Sequence, residues 1–199
     1  MINQANFFKT IRTTLFNGEL SQTQVDGISA IVTGWQQTAA TDLQQLAYIL
    51  GTVYHEAGKG MYPVREGFTT TNQQAVQYVT DLYKRRGISR NYALPDPATG
   101  QSYYGRGFVQ ITWKGNYATF EKLLHLPLVD NPDLALKTNV SAAIAIKGMC
   151  GGLFTGKKLS DYFNDNTCDW VNARRIINGT DRAKLIAGYA QNFHTALTS

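Results

Sequence analysis

The sequence predicts a mainly helical α+β fold, one domain over residues 1–199 with a minor sheet. Apolar residues recur at three- and four-residue spacing along most of the chain, and one segment, residues 103–113, switches to a period of two. With 43% hydrophobic and 17% charged positions among 199 residues, the chain can bury one sizeable core. Two lobes around a cleft would suit the same length.

The opening third reads as helices. Phe7, Phe8, Ile11 and Leu15 fall at helical spacing until Gly18 breaks the run. Ser21 with Gln24 forms a capping-box signature ahead of Val25, Ile28, Val32 and Trp35, and Thr41 with Gln44 repeats it. That second signature opens the most apolar helix of the chain, which should end where Gly58 and Gly60 arrive. Residues 61–72 hold Pro63 and Gly67 and read as loop, residues 73–86 as helix, and residues 87–100 as an extended connection rich in Pro, Gly and Asn. In residues 103–113, Val109, Ile111 and Trp113 alternate with Phe108, Gln110 and Thr112, the pattern of a strand forming half of a small hairpin. Helix is expected again at residues 117–124 and 141–149, around 159–163 and 170–177, and finally over 182–197.

The formal charge of +5 and a pI near 9.2 imply attraction to polyanions, whether nucleic acid, an anionic membrane surface, lipopolysaccharide or acidic wall polymer. The densest basic runs, Lys84-Arg85-Arg86 and Arg174-Arg175, are short, so no nucleic-acid partner is expected. The first residues lack the apolar run of a secretory signal, and no stretch approaches the ~20 apolar residues of a spanning helix. The expectation is a monomer without membrane insertion, cofactor or metal, made in the cytoplasm. Cys150 and Cys168 form no C-x-x-C pair; they suit two thiols in a reducing compartment, or one disulfide.

One carboxylate stands in an awkward place. With Ile49 at zero on a helical wheel of about 100° per residue, Val53 falls at about 40°, Leu46 at about 60° and Glu56 at about minus 20°. Glu56 therefore continues the edge of the apolar stripe, and in the last turn of its helix the macrodipole disfavours its charge. Both effects would raise a carboxyl pKa toward what a general acid needs. A solvent-facing Glu at a frayed helix end has the same wheel position. Glu66, ten positions on in Pro63-Val64-Arg65-Glu66-Gly67, is the candidate base on a loop; it would equally suit a surface ion pair with Arg65 or Arg106. Asp81, Asp96, Glu121 and Asp130 lack the apolar siting and the proximity in sequence. On the strand, alternation would aim Gln110 and Thr112 the same way, able to hold a ligand's polar groups or a water, or simply to face solvent. Gly105 and Gly107 would permit a close approach or a bulge. Asn116 could contact a ligand or cap the following helix.

These segments resemble a known family. Tyr104-Gly-Arg-Gly-Phe-Val-Gln-Ile-Thr-Trp-Lys-Gly-Asn-Tyr117 is similar to the substrate-cleft signature of glycoside hydrolase family 19, the chitinases and related phage endolysins. Val53-Tyr54-His55-Glu56 resembles its helix-borne acid, Pro63-Val64-Arg65-Glu66-Gly67 the loop bearing its base, and Ile176-Ile177-Asn178-Gly179 its Ile-Asn-Gly segment. The resemblance implies a lysozyme-like bilobal helical domain with a small β-hairpin lining the cleft. It implies Glu56 as general acid, Glu66 as general base and Thr112 as positioner of the attacking water. Gln110, Asn116 and Asn178 would contact sugar, with His55, Tyr104 and Arg106 counted beside them as substrate-binding. Carboxyls about 6.5–9.5 Å apart would leave room for water and invert the anomeric centre. The chain departs from plant members in having Gly115 where they have an aromatic, Thr112 where they have Ser, and no counterpart near Lys184 and Leu185 of their final-helix Arg. These departures argue against crystalline chitin. The compact basic chain instead resembles the endolysin branch, for which peptidoglycan glycan strands are the expected partner and substrate. Release by a holin would carry such an enzyme to the wall. Chitin oligomers, or a non-catalytic wall-binding role, are the alternatives.

Overall fold

A computed structural model of the chain describes residues 2–86 and 90–199; the expected connection at residues 87–100 lies partly outside the described residues. Among them are seven α-helices: α1 (Gln4–Thr14), α2 (Gln22–Gln36), α3 (Leu43–Glu56), α4 (Asn72–Arg86), α5 (Lys114–Leu124), α6 (Thr138–Gly151) and α7 (Ala183–Thr198). Four two-residue strands form two antiparallel pairs: β1 (Val64–Arg65) with β2 (Arg106–Gly107), and β3 (Phe163–Asn164) with β4 (Thr167–Cys168). The mainly helical class with a minor sheet is as the sequence predicts.

The chain divides into two compact units, one made of the N-terminal segment through Met61 together with Ala145–Ser199, the other of Tyr62–Ile144. The first is built on α3. Asp42, one residue after the expected cap, accepts the N–H groups of Gln44 and Gln45, and every residue from Leu46 to Tyr54 is buried. Helix α3 lies along α7, and their backbones come so close that a Cβ on Gly51 would stand 2.7 Å from the Ala190 nitrogen. Only glycine allows that approach. In α2 the Ser21–Gln24 capping box forms as read, and Gly27 accommodates the Met61 carbonyl, 1.6 Å from where a Cβ would sit. Cys150 and Cys168 are free thiols, the first half-buried and the second exposed.

The second unit corrects the strand reading. Residues 103–113 do not run as one strand: β2 is two residues long, Gln110 adopts φ +54°, and the chain folds back so that Arg106 bridges to Ile111. Residues 103–109 are all buried, so the alternation does not separate a wet face from a dry one. The partner of β2 is β1, in the stretch read as loop, with Val64 opposite Gly107 and Arg65 opposite Arg106. Likewise β3 and β4 form a small hairpin that the sequence reading does not expect, and the stretches around 159–163 and 170–177, expected as helix, hold only the short 3-10 turns Leu159–Asp161 and Asn172–Ile176.

Candidate active site

In the first unit, α3 delivers Glu56 at its last residue, with a side chain 21% exposed. The carboxylate is met by Arg174, 4% exposed, whose Nη1 donates to Glu56 Oε1 at 2.6 Å. Arg174 sits in the 3-10 turn Asn172–Ile176 and is fixed there by donating from Nε to the Asp181 carbonyl at 3.1 Å. The buried guanidinium answers both costs that mark Glu56 in sequence, partial burial and the negative end of the helix dipole. His55, half-buried beside it, has its ring centroid 6.5 Å from that of Tyr189. Burial pushes its imidazole below the ordinary histidine value; Glu56 opposes that push, while Arg174 and Arg182 add to it. Asn178 is exposed just past the same turn, its N–H donating to the Arg174 carbonyl and its Oδ1 accepting from Gly179.

In the second unit, Glu66 follows β1 directly and is held on both oxygens. Tyr92 Oη donates to Oε1 at 2.5 Å and the Gly105 N–H donates to Oε2 at 2.8 Å, while the Glu66 N–H donates to the Gly105 carbonyl at 2.8 Å. Accepting on both oxygens is the hydrogen-bond inventory of a carboxylate. Burial and this contact with Glu66 push the Tyr92 phenol above its usual value, so it stays a donor. The surface ion pair with Arg65 or Arg106 that the sequence also allows for Glu66 is absent among the described residues, because both arginines go elsewhere. Asp133 takes Arg65 Nη2 on Oδ2 and Arg106 Nε on Oδ1, each at 2.7 Å. The other acids also have structural partners: Asp96 pairs with Lys114 at 2.8 Å, and Glu121 accepts the Val129 N–H at 2.7 Å.

Two residues read as substrate-binding are interior to the second unit. Tyr104 is fully buried and donates to Asn72 Oδ1; Arg106 is 2% exposed, stacks 3.7 Å from the centroid of the Tyr104 ring, and donates to Ser102 O and Tyr117 Oη. Neither offers a sugar a surface. Gln110 and Thr112 are not aligned on one strand face. Gln110 Nε2 donates to Val64 O at 2.7 Å and Gly107 O at 3.0 Å, Thr112 Oγ1 donates to Gln110 O, and Asn116 Nδ2 donates to Thr112 O. The amide of Gln110 thus ties the turn to β1. Asn116 lies within the first turn of α5, not at its cap, which is Trp113. A Cβ on Gly105 would stand 2.8 Å from Gln110 Oε1 and 3.2 Å from Glu66 Oε2, so a side chain here would press on the proposed base and on the amide beside it. Sequence reasoning missed Arg174 as the partner of Glu56 and Tyr92 as a partner of Glu66; only the basic run at residues 174–175 hinted at the first.

The sequence model of glycoside hydrolase family 19, described as chitinase class I, matches residues 25–150, which include both carboxylates and the Tyr104–Tyr117 signature. The chain belongs to glycoside hydrolase family 19. Within the family it is 36% identical over 109 residues to an endochitinase of Carica papaya, covering 52% of this chain and 42% of that protein. It is 33% identical over 96 residues to an Arabidopsis thaliana endochitinase, covering 46% and 34%. A third relative, named an inactive chitinase-like protein, from Hevea brasiliensis, is 41% identical over 54 residues, 25% of this chain and 17% of its own. The matches span less than half the length of these curated relatives. The solved structure of a bacterial family 19 chitinase is similar over 98% of this chain and 94% of its own, with TM-score 0.64 and 22% identity. Chitinase C of Streptomyces griseus is similar over 100% and 77%, with TM-score 0.64 and 19% identity. The helical fold with small strand pairs is therefore the family's.

Proposed function

We propose that the protein is an inverting glycoside hydrolase that cleaves β-1,4 bonds between N-acetylated sugars of bacterial peptidoglycan. One observation carries the reading: the two carboxylates in the family's segments are each held by dedicated donors, Arg174 on Glu56 and Tyr92 with Gly105 on Glu66, instead of being spent in surface ion pairs. In this mechanism Glu56 gives its proton to the glycosidic oxygen as the bond from C1 to that oxygen breaks. Glu66 takes a proton from water as the water oxygen bonds to C1 from the opposite face, giving the inverted hemiacetal. Arg174 engages Oε1, so the proton travels on Oε2, and the guanidinium stabilises the negative charge left behind. Thr112 is the proposed positioner of the water, with His55, Asn116 and Asn178 as sugar contacts.

The charge of +5 favours an anionic wall polymer over neutral chitin, and the protein would reach that wall as an endolysin does. Chitinase activity is the second reading, favoured by the names of the relatives. Mass spectrometry of the products from purified peptidoglycan and from soluble chitin oligomers decides between them. Glu56→Gln, nearly isosteric, should abolish the loss of turbidity of peptidoglycan with the fold intact, and Glu66→Gln should lower the rate greatly with binding retained. Lysis at the wild-type rate by either variant would remove that residue from the mechanism.

A further inference from the structure

The second unit contains an open cavity of about 720 Å³ whose lining shares only Tyr92, the donor to Glu66, with the residues given a part in the hydrolytic step. That volume falls within the roughly 300–1,000 Å³ range of small-ligand sites. One wall is aromatic. Trp113 is 42% exposed, its ring centroid 5.1 Å from that of Tyr92, and the Arg90 guanidinium lies 5.7 Å from the Trp113 centroid. Trp113 is also held at φ +75°, a conformation that an aromatic residue adopts only when its surroundings impose it. They do so here: its N–H donates to the Tyr103 carbonyl, and its own carbonyl accepts from Asn116 and Tyr117. An exposed indole fixed in this way is an anchor set before any ligand arrives.

The rest of the lining supplies charge and an apolar rim. Lys84, Arg90 and Lys114 face the cavity against one carboxylate, Asp96, and Lys114 is committed to it. Among the described residues no carboxylate is ion-paired with Lys84 or Arg90, so two cations remain for a ligand. Leu94, 59% exposed, forms part of the rim. Aromatic wall, aliphatic rim and two cations match a short peptide carrying carboxylates better than a sugar, whose hydroxyls are neutral. A nucleic acid would call for a basic groove tracking many phosphates, which two cations at one open pocket do not provide. The Tyr92 hydroxyl connects this wall to the carboxylate at Glu66 Oε1.

We propose that this cavity binds the acidic stem peptide attached to the glycan, an inference that rests on the peptidoglycan reading above. Trp113 and Tyr92 receive its aliphatic groups, and Arg90 and Lys84 its carboxylates. The cavity then selects peptide-bearing strands over denuded ones.

The test uses a sugar-free synthetic tripeptide, L-Ala-γ-D-Glu-meso-diaminopimelate, titrated into the full chain by calorimetry, alongside rates on peptide-bearing glycan and on the same glycan stripped of peptide. Binding should weaken roughly tenfold in Arg90→Gln, the loss of one charged hydrogen bond. The preference for peptide-bearing over stripped strands should fall by a similar factor. Because Trp113→Ala could unfold the loop, Gly115→Tyr is the companion variant: Gly115 lines the cavity and a Cβ there meets nothing within 4 Å, so a bulky side chain at this position should block the tripeptide. Hydrolysis that ignores the peptide, with no tripeptide binding, overturns the cavity assignment and leaves the hydrolase reading standing. Tripeptide binding by a protein that cleaves neither glycan supports the cavity and overturns the hydrolase reading. Tighter binding of a short single-stranded oligonucleotide than of the tripeptide overturns the peptide assignment.

Discussion

At the scale of single residues, the decisive contact is Arg174 on Glu56. The guanidinium is almost wholly buried and its partner only partly so. Removing the cation leaves a carboxylate without compensation at a helix C-terminus, a loss of about 1–3 kcal/mol for a charged group. Arg174→Gln should therefore lower stability by that order in chemical denaturation and cut kcat on the proposed peptidoglycan substrate about a hundredfold, since Glu56 loses its orientation as well as its counter-charge. Arg174→Lys keeps the charge without the planar fork and should fall between. Equal kcat in all three proteins would make the pair merely structural. Next to it, His55 has a folded-state value below its ordinary one. The unfolded chain then binds the proton first as pH falls, so this residue's contribution is intact above about 6.5 and is lost progressively below it. His55→Gln should flatten the decline of unfolding free energy between about pH 6.5 and 5, measured at constant ionic strength. An unchanged slope would show that other groups carry it.

At the scale of elements, what was legible depended on how local the cause was. Helix α3 could be read because its apolar stripe and its glycine stop lie within one stretch of sequence, and so could the Ser21–Gln24 box. The segment at residues 103–113 could not. Its alternation is real, but burial on all sides and the positive φ at Gln110 turn it back on itself, and its strand partner lies some forty residues upstream in β1. The site divides in the same way. Glu56 and Glu66 are visible through their segments, whereas Arg174 lies 118 positions from Glu56 and Tyr92 lies 26 from Glu66, distances no periodicity reports. The glycines of this segment have separable roles. Gly107 sits at φ +90°, and a Cβ there would meet Ser141 Oγ at 2.8 Å and the Ala135 carbonyl at 2.9 Å. Gly107→Ala should cost about 1–3 kcal/mol in stability. A Cβ on Gly105 instead meets the ends of two flexible side chains, Gln110 and Glu66. Gly105→Ala should cost less than about 1 kcal/mol yet displace Glu66 and lower kcat at least tenfold. Equal stability losses in the two variants would contradict this division.

At the scale of the whole molecule, the net charge of +5 gives the two proposed substrates different expected salt dependences. Two glycans with the same bond present the same chemistry to Glu56 and Glu66, but peptidoglycan is anionic and chitin oligomers are neutral. Long-range attraction acts on encounter and is screened over about 10 Å at 0.1 M salt. Raising ionic strength from about 0.02 to 0.5 M should therefore lower kcat/KM on peptidoglycan severalfold while leaving kcat nearly constant. The rate on a neutral chitin oligomer, if it is cleaved, should not move. The comparison has an internal control, since loss of folded protein at high salt would depress both substrates together. If kcat/KM on peptidoglycan proves insensitive to salt, the basic surface does not guide the enzyme to the proposed polymer, and any preference for it must come from short-range contacts such as those proposed for the Trp113 cavity.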